Sequence, residues 1–275
     1  MPRLEIAGLT LNAEQTGSGP PVVLLHGFTG STTTWRRLID LLAPEFEVIA
    51  FDIVGHGGSD SPQPVERYEM HRCVDDLVAA LRLLGHQRAS WLGYSMGART
   101  ALQIAAHRPD AVDALVLEGV TAGLADPTER AARVASDEAL ADRIEGEGLE
   151  AFVDFWQSIA LWDTQDGLAA ATVEALRRQR MANSVTGLAN SLRGMGTGAQ
   201  EPVHGSLTAI EAPTLLLTGA LDQKFSTIAE QLADAMPQAE CRTVAGAGHA
   251  VHLEDPQAFE SAVLEFLRGH VTATV

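Results

Sequence analysis

A chain of 275 residues that is 46% apolar can bury a substantial core, enough for one large α/β domain or a domain carrying an insertion. Its net charge of −17 argues against a nucleic-acid partner, because a phosphate backbone would be repelled. Lys224 is the only lysine among 19 basic residues, so a site for an anion would have to gather arginines against an unfavourable global field. Cys73 and Cys241 lack Cys-x-x-Cys or metal-ligand spacing and read as packing residues. Residues 1–10 show no signal-peptide pattern, and no stretch approaches the roughly 20 apolar residues that span a bilayer. A cytoplasmic protein without membrane insertion is expected.

Strands are predicted at 4–6 and 9–13, joined at Gly8, with a turn cluster at 17–21. The continuous apolar run 22–25 fits a strand covered on both faces of a parallel sheet, and it ends in His26-Gly27-Phe28-Thr29-Gly30. A helix at 34–42 follows, then a strand at 46–51 that runs into Asp52-Ile53-Val54-Gly55-His56-Gly57-Gly58-Ser59. Helical spacing covers 68–84; a strand at 89–92, a helix at 100–106 and a strand at 112–118 come next. From 119 to about 210 the strand pattern stops, and helical patterns occupy 127–142, 149–156, 169–181 and 184–192. Alternation resumes with a strand at 214–218, a helix at 227–235, a strand at 241–244 and a helix at 256–267. The predicted class is α/β, with a mostly parallel central sheet and helices on both faces. Residues 1–118 and 211–275 form the core, and 119–210 form an inserted helical cap.

Between the strand at 89–92 and the helix at 100–106 lies Gly93-Tyr94-Ser95-Met96-Gly97. Gly-x-Ser-x-Gly at a strand-to-helix junction is the nucleophile-elbow pattern, in which a tight turn pushes the serine clear of the backbone. An ordinary glycine-flanked turn is the plain alternative. A nucleophilic serine needs a base and a residue that orients the base. Asp222 follows the strand at 214–218 and His249 follows the strand at 241–244, in the order serine, acid, histidine. Alone, Asp222 could be a helix cap, and His252 competes with His249 for the assignment. Three such residues in order, each at a strand end, are read as a triad. The loop after residue 25 is expected to set the Phe28 N–H beside that of Met96 as an oxyanion hole. His26 would brace that loop, and Asp52 and His56 would stabilise their own.

Taken together, His-Gly-Phe, Asp-Ile-Val-Gly-His-Gly-Gly-Ser, Gly-Tyr-Ser-Met-Gly, Gly-x-x-Asp and Gly-x-Gly-His resemble the α/β-hydrolase fold superfamily over nearly the whole chain. Within it, Glu129-Arg130-Ala131-Ala132-Arg133, Ser136-Asp137, Phe155-Trp156, Arg180 to Asn183, the run 187–200 and Asp222-Gln223-Lys224-Phe225 are similar to the 2-succinyl-6-hydroxy-2,4-cyclohexadiene-1-carboxylate synthases of menaquinone biosynthesis. That resemblance implies a lyase that abstracts a proton from a cyclohexene substrate and eliminates its enolpyruvyl group as pyruvate. It also implies a small polycarboxylate substrate held by Arg99, Arg133 and Arg180. Arg99 lies one helical turn after Ser95 and can flank the same pocket; arginine suits bidentate carboxylate binding. Tyr94 and Trp156 would wall the ring and Lys224 would add positive charge.

Each of these has a plainer reading. Arg133 and Arg180 could lie on a solvated helix face, Trp156 in the cap core, Tyr94 under the elbow, and Lys224 among surface acids. Neither Gly-x-Gly-x-x-Gly after a strand nor a ligand cluster is present, so no cofactor and no metal are expected. The rival activity is a serine hydrolase of an ester, thioester or ring-cleavage diketone working through acyl-Ser95. A ligand receptor without activity is a third reading, against which an intact triad weighs.

Overall fold

The computed structural model describes residues 3–271. Its centre is an eight-stranded sheet made of β1 (Arg3–Ile6), β2 (Leu9–Thr16), β3 (Pro21–Leu25), β4 (Glu47–Phe51), β5 (Ala89–Tyr94), β6 (Val112–Glu118), β7 (Thr214–Gly219) and β8 (Ala239–Val244). The spatial order is β1-β2-β4-β3-β5-β6-β7-β8. All pairings from β4 to β8 are parallel, while β1 with β2 and β2 with β4 are antiparallel. The core strands are apolar throughout because both sheet faces are covered. Val23, Leu25, Ile49, Phe51 and Trp91 pack on one side with Leu77, Leu81 and Leu102 from α2 (Met70–Leu83) and α3 (Met96–His107). Val22, Leu24, Val48, Ala50 and Leu92 face the other side, against α1 (Arg36–Leu42) and α10 (Pro256–His270).

Between β6 and β7 the described chain contains no strand. It runs through α4 (Pro127–Glu147), α5 (Leu149–Gln157), a 3-10 segment (Ala160–Gly167), α6 (Ala170–Met181) and α7 (Val185–Met195). These helices hold a small apolar cluster of their own, including Ile144, Phe152, Leu188 and Leu192. Phe28 packs against both this cluster and the sheet core. The end of α6 is pinned to the sheet loops: Asn183 Nδ2 donates to Thr29 O (2.9 Å) and Asn183 Oδ1 accepts from Gly57 N (3.1 Å).

Several boundaries differ from those predicted. β2 continues to Thr16, because Glu14-Gln15-Thr16 pair with β4 through the backbone despite their polar side chains. The helix predicted at 227–235 is α8 (Gln223–Ala235), starting four residues earlier because Asp222 caps it. The 3-10 segment at 160–167 and α9 (Val251–Glu254) carry no helical periodicity and went unpredicted. None of the helices is long and apolar enough to cross a membrane, among the described residues.

The parallel strands align their carboxyl ends along one sheet edge, and α3 lies tightly against it. A Cβ on Gly97 would fall 2.2 Å from Leu25 O, and one on Gly93 would fall 2.3 Å from Gly97 C. Backbone atoms cannot yield to such contacts as a flexible side chain would. Gly97→Ala is therefore expected to lower stability by about 3 kcal/mol in urea unfolding. A loss near zero would contradict the close packing of α3 on β3.

Candidate active site

Ser95 occupies the junction of β5 and α3 with φ 50° and ψ −103°, a conformation that a serine adopts only when its surroundings impose it. Its N–H donates to Glu118 O on β6 (2.8 Å), which fixes the turn to the neighbouring strand. His249, in the loop after β8, is 5% exposed. Its Nδ1–H donates to Asp222 Oδ2 (2.7 Å), leaving Nε2 to accept from the Ser95 hydroxyl (3.3 Å). The second carboxylate oxygen of Asp222 accepts from Phe225 N (3.2 Å) and caps α8. Asp222 is thus both a helix cap and the partner of His249, one oxygen for each. Burial opposes its ionisation, but the His249 and Phe225 hydrogen bonds and nearby positive charge outweigh that and hold its carboxyl below the usual carboxylate range.

Above this chain of hydrogen bonds lies a cavity of about 390 Å³, lined by Ser95, His249 and Asp222 together with residues of α4, α5 and α7. Phe28 and Met96, the two residues predicted to supply oxyanion N–H groups, both line it. Met96 opens α3, where the N–H groups have no intrahelical acceptor and the helix dipole is positive.

A model of the α/β hydrolase fold matches residues 20–256. The chain belongs to the α/β-hydrolase fold family. A Bacillus subtilis (strain 168) protein provisionally named 2-succinyl-6-hydroxy-2,4-cyclohexadiene-1-carboxylate synthase is 41% identical over 92% of each chain. A protein of the same name from Serratia proteamaculans is 31% identical over 90% of this chain and 93% of its own. The structure of MenH from S. aureus superposes with a TM-score of 0.90 at 29% identity, covering 95% of this chain and 99% of that one.

The remaining predicted residues fall in distinct places around this α/β-hydrolase site. Arg99, Arg133, Trp156 and Lys224 line the 390 Å³ cavity, and Tyr94 walls it. Arg180 instead lines a neighbouring space of about 40 Å³ that shares Phe28, Tyr94 and Trp162 with the larger cavity. Arg99 is buried and donates to Met195 O (2.9 Å) and to the Gln200 side-chain oxygen. Burial and the charge of Arg133 push its guanidinium down to about 10, although Asp137 opposes them. Arg133 is half-exposed and donates to Asp137 Oδ1 (2.8 Å). Arg180 is 7% exposed, and its guanidinium makes no hydrogen bond or ion pair with any described residue. The Tyr94 hydroxyl is buried without a partner, and burial raises it well above the ordinary phenol range. Lys224 is exposed at the cavity rim.

Four features had no role at the site assigned from sequence, although Asp137 was quoted in a motif and His252 as a rival to His249. Asp137 is buried in the cavity wall, and burial raises its carboxyl despite Arg133 alongside. Trp162 sits 6.1 Å from His249, on the unpredicted 3-10 segment. Phe225, quoted only as part of a motif, packs 4.6 Å from the same ring. Glu118 and His252 form a buried pair in which His252 Nδ1 donates to Glu118 Oε2 (2.8 Å), beneath Tyr94. A glutamate closing an otherwise apolar strand was the available signal. His252 is thus engaged by Glu118, while His249 lies between Ser95 and Asp222.

The loops behind Phe28 are held by neutral rings. His26 Nδ1 donates to Gly27 O (2.8 Å) while Nε2 accepts from Ile53 N (3.0 Å), a pattern that excludes the doubly protonated ring. Burial lowers His26 to about 4 and His56 to about 3, in each case from 6.5. Asp52 accepts from Thr32 N (2.6 Å), Gly58 N (2.7 Å) and Asn12 Nδ2 (2.8 Å), tying three segments together.

Two outcomes follow from this geometry. Asp222→Asn preserves shape but presents the wrong partner to His249, so kcat is expected to fall by about 10⁴ with little change in stability. A fall of less than tenfold would remove Asp222 from the reaction. Because both buried histidines are neutral in the folded chain and protonate near 6.5 when unfolded, the stability they contribute is present above pH 6.5. It is lost as pH falls toward 4. Urea midpoints are expected to be level from pH 7 to 8 and to drop below about pH 6; an unchanged midpoint at pH 4.5 would contradict neutral rings.

Proposed function

We propose that this protein is a lyase that eliminates pyruvate from 2-succinyl-5-enolpyruvyl-6-hydroxy-3-cyclohexene-1-carboxylate, yielding 2-succinyl-6-hydroxy-2,4-cyclohexadiene-1-carboxylate in menaquinone biosynthesis. The observation that carries the reading is that Arg99 and Arg180 are buried beside a Ser-His-Asp chain without a carboxylate in ion-pair contact with either. Burying a guanidinium without a counter-charge costs several kcal/mol, and a bound carboxylate offsets that cost. The substrate brings three carboxylates, on the ring, the succinyl arm and the enolpyruvyl group. A neutral ester would leave both arginines uncompensated. The 41% identity to the Bacillus subtilis protein and the 31% identity to the Serratia proteamaculans synthase support the same reading.

In this mechanism His249 takes the Ser95 proton, and Ser95 removes the ring proton beside the succinyl carbonyl. The electron pair left behind forms the 2,3 double bond, the 3,4 double bond shifts to 4,5, and the carbon–oxygen bond to the enolpyruvyl group breaks. The leaving enolate takes the proton held by His249 and rearranges to pyruvate, and the ring proton stays on Ser95. Transient charge spreads onto the succinyl carbonyl oxygen, which the Phe28 and Met96 amides stabilise. Residues 119–210 act as a cap over the core formed by 1–118 and 211–275. Arg99, Arg133 and Lys224 orient the carboxylates, while Tyr94 and Trp156 wall the ring. Its two unpaired cysteines suit a reducing cytoplasm.

Purified protein supplied with the enolpyruvyl substrate is expected to release pyruvate, measured by coupled lactate dehydrogenase. Background pyruvate together with brisk ester cleavage would overturn the assignment in favour of acyl transfer. Arg133→Ala and Arg180→Ala are expected to raise KM by about tenfold or more, each removing a charged hydrogen-bonding group. Unchanged kinetics in both variants would place these arginines outside substrate binding.

A further inference from the structure

The 40 Å³ space beside the main cavity is lined by an unusual set of groups. The Arg180 guanidinium lies 5.7 Å from the Trp162 ring centroid and makes no hydrogen bond or ion pair among the described residues, and the Tyr94 hydroxyl, Trp162 Nε1 and Gln165 Nε2 are buried with no hydrogen-bond partner. These are four donors from three separate elements around one small space: the end of β5, the 3-10 segment and α6. Unsatisfied buried donors cost roughly 1–3 kcal/mol each, so their clustering points to an acceptor that arrives from outside. None of the residues lining the space is Asp or Glu. A single water needs roughly 10–15 Å³ by this measure, so the space accommodates about three heavy atoms, the size of a carboxylate group.

We propose that this side cavity is a monocarboxylate subsite that holds the carboxylate of the three-carbon acid as it is eliminated, with Trp162 and Gln165 as specificity residues alongside Arg180. The identity of the acid as pyruvate rests on the lyase reading; the carboxylate subsite itself rests on the four donors. Phe28, Tyr94 and Trp162 line both cavities, so the side space adjoins the one that holds Ser95; in this proposal the leaving acid spans the two, with its charged end in the side space and its reacting end beside Ser95. The ring and succinyl carboxylates then remain with Arg99 and Arg133. Separate anion sites for the two products account for Arg180 standing apart from the other two arginines.

The test is a calorimetric titration of pyruvate into the full chain, requiring no turnover, with acetone as the neutral analogue. Trp162→Phe and Gln165→Leu keep the bulk of each side chain and remove only the donor; circular dichroism verifies that they fold. Wild-type protein is expected to bind pyruvate in the millimolar range and acetone not at all, with each variant weakening pyruvate at least about fivefold. Product inhibition by pyruvate is expected to weaken in parallel. Absence of pyruvate binding would show that water alone occupies the space, and equal affinity in all three proteins would remove the donors from recognition; either result overturns the subsite. If lyase activity is present in that case, the functional reading survives. If pyruvate binds and the variants weaken it in a protein that releases none from the enolpyruvyl substrate, the carboxylate subsite stands and the lyase reading falls.

Discussion

The site depends on one constraint, the strained backbone of Ser95. A serine at φ 50° costs of order 1–3 kcal/mol, and the surrounding structure has to over-determine it. Three contacts do so: the Ser95 N–H bond to Glu118 O, the approach of Gly97 to Leu25 O, and the stacking of Gly93 against the first turn of α3. Each links the elbow to an adjacent strand or helix. The parallel sheet therefore acts as the anvil on which the turn is held, and Ser95 Oγ meets His249 Nε2 as a consequence.

Charge is divided by depth. Outside the cavity most arginines are matched with acids: Arg193 reaches Glu138, Asp142 and Glu145, Arg37 pairs with Glu260, and Arg268 with Glu45. Such exposed pairs add little stability but keep a strongly acidic surface balanced. Inside, Arg99 meets only neutral oxygens and Arg180 meets none, and burial is the leading influence lowering both guanidinium groups. A chain with net charge −17 thus leaves two buried arginines, Arg99 and Arg180, without an acid in ion-pair contact among the described residues. Asp137, set against Arg133, keeps the third arginine from simply adding to that positive field.

Asn183 and Phe28 show how the helical insert and the sheet are joined at the site itself. Asn183 ties the end of α6 to Thr29 O and Gly57 N, so Arg180, three residues earlier, is positioned by the same loops that carry Phe28. Phe28 in turn sits between the sheet core and the insert's own apolar cluster. The helices between β6 and β7 and the loop that carries Phe28 are in this way mechanically connected.

The strands, the elbow glycines and the order Ser95, Asp222, His249 were legible in the amino-acid sequence because each rests on local constraints. Apolar runs mark strands buried on both faces, and tight turns need glycine where backbones touch. The strand-and-helix alternation likewise specified an α/β fold interrupted by helices. What only the tertiary structure decided concerns residues whose partners are far away in the chain. In sequence Asp222 read as a helix cap or a triad member; in the folded chain its Oδ1 caps α8 and its Oδ2 accepts from His249 Nδ1. His249 and His252 were separated only by Glu118, more than a hundred residues away. Arg133 and Arg180 looked equivalent on helical patterns, yet one faces Asp137 in the main cavity and the other stands unpaired in the side space. Trp162 and Gln165 lie on a 3-10 segment without periodicity, so their convergence with Tyr94 and Arg180 exists only once the insert has packed on the sheet edge.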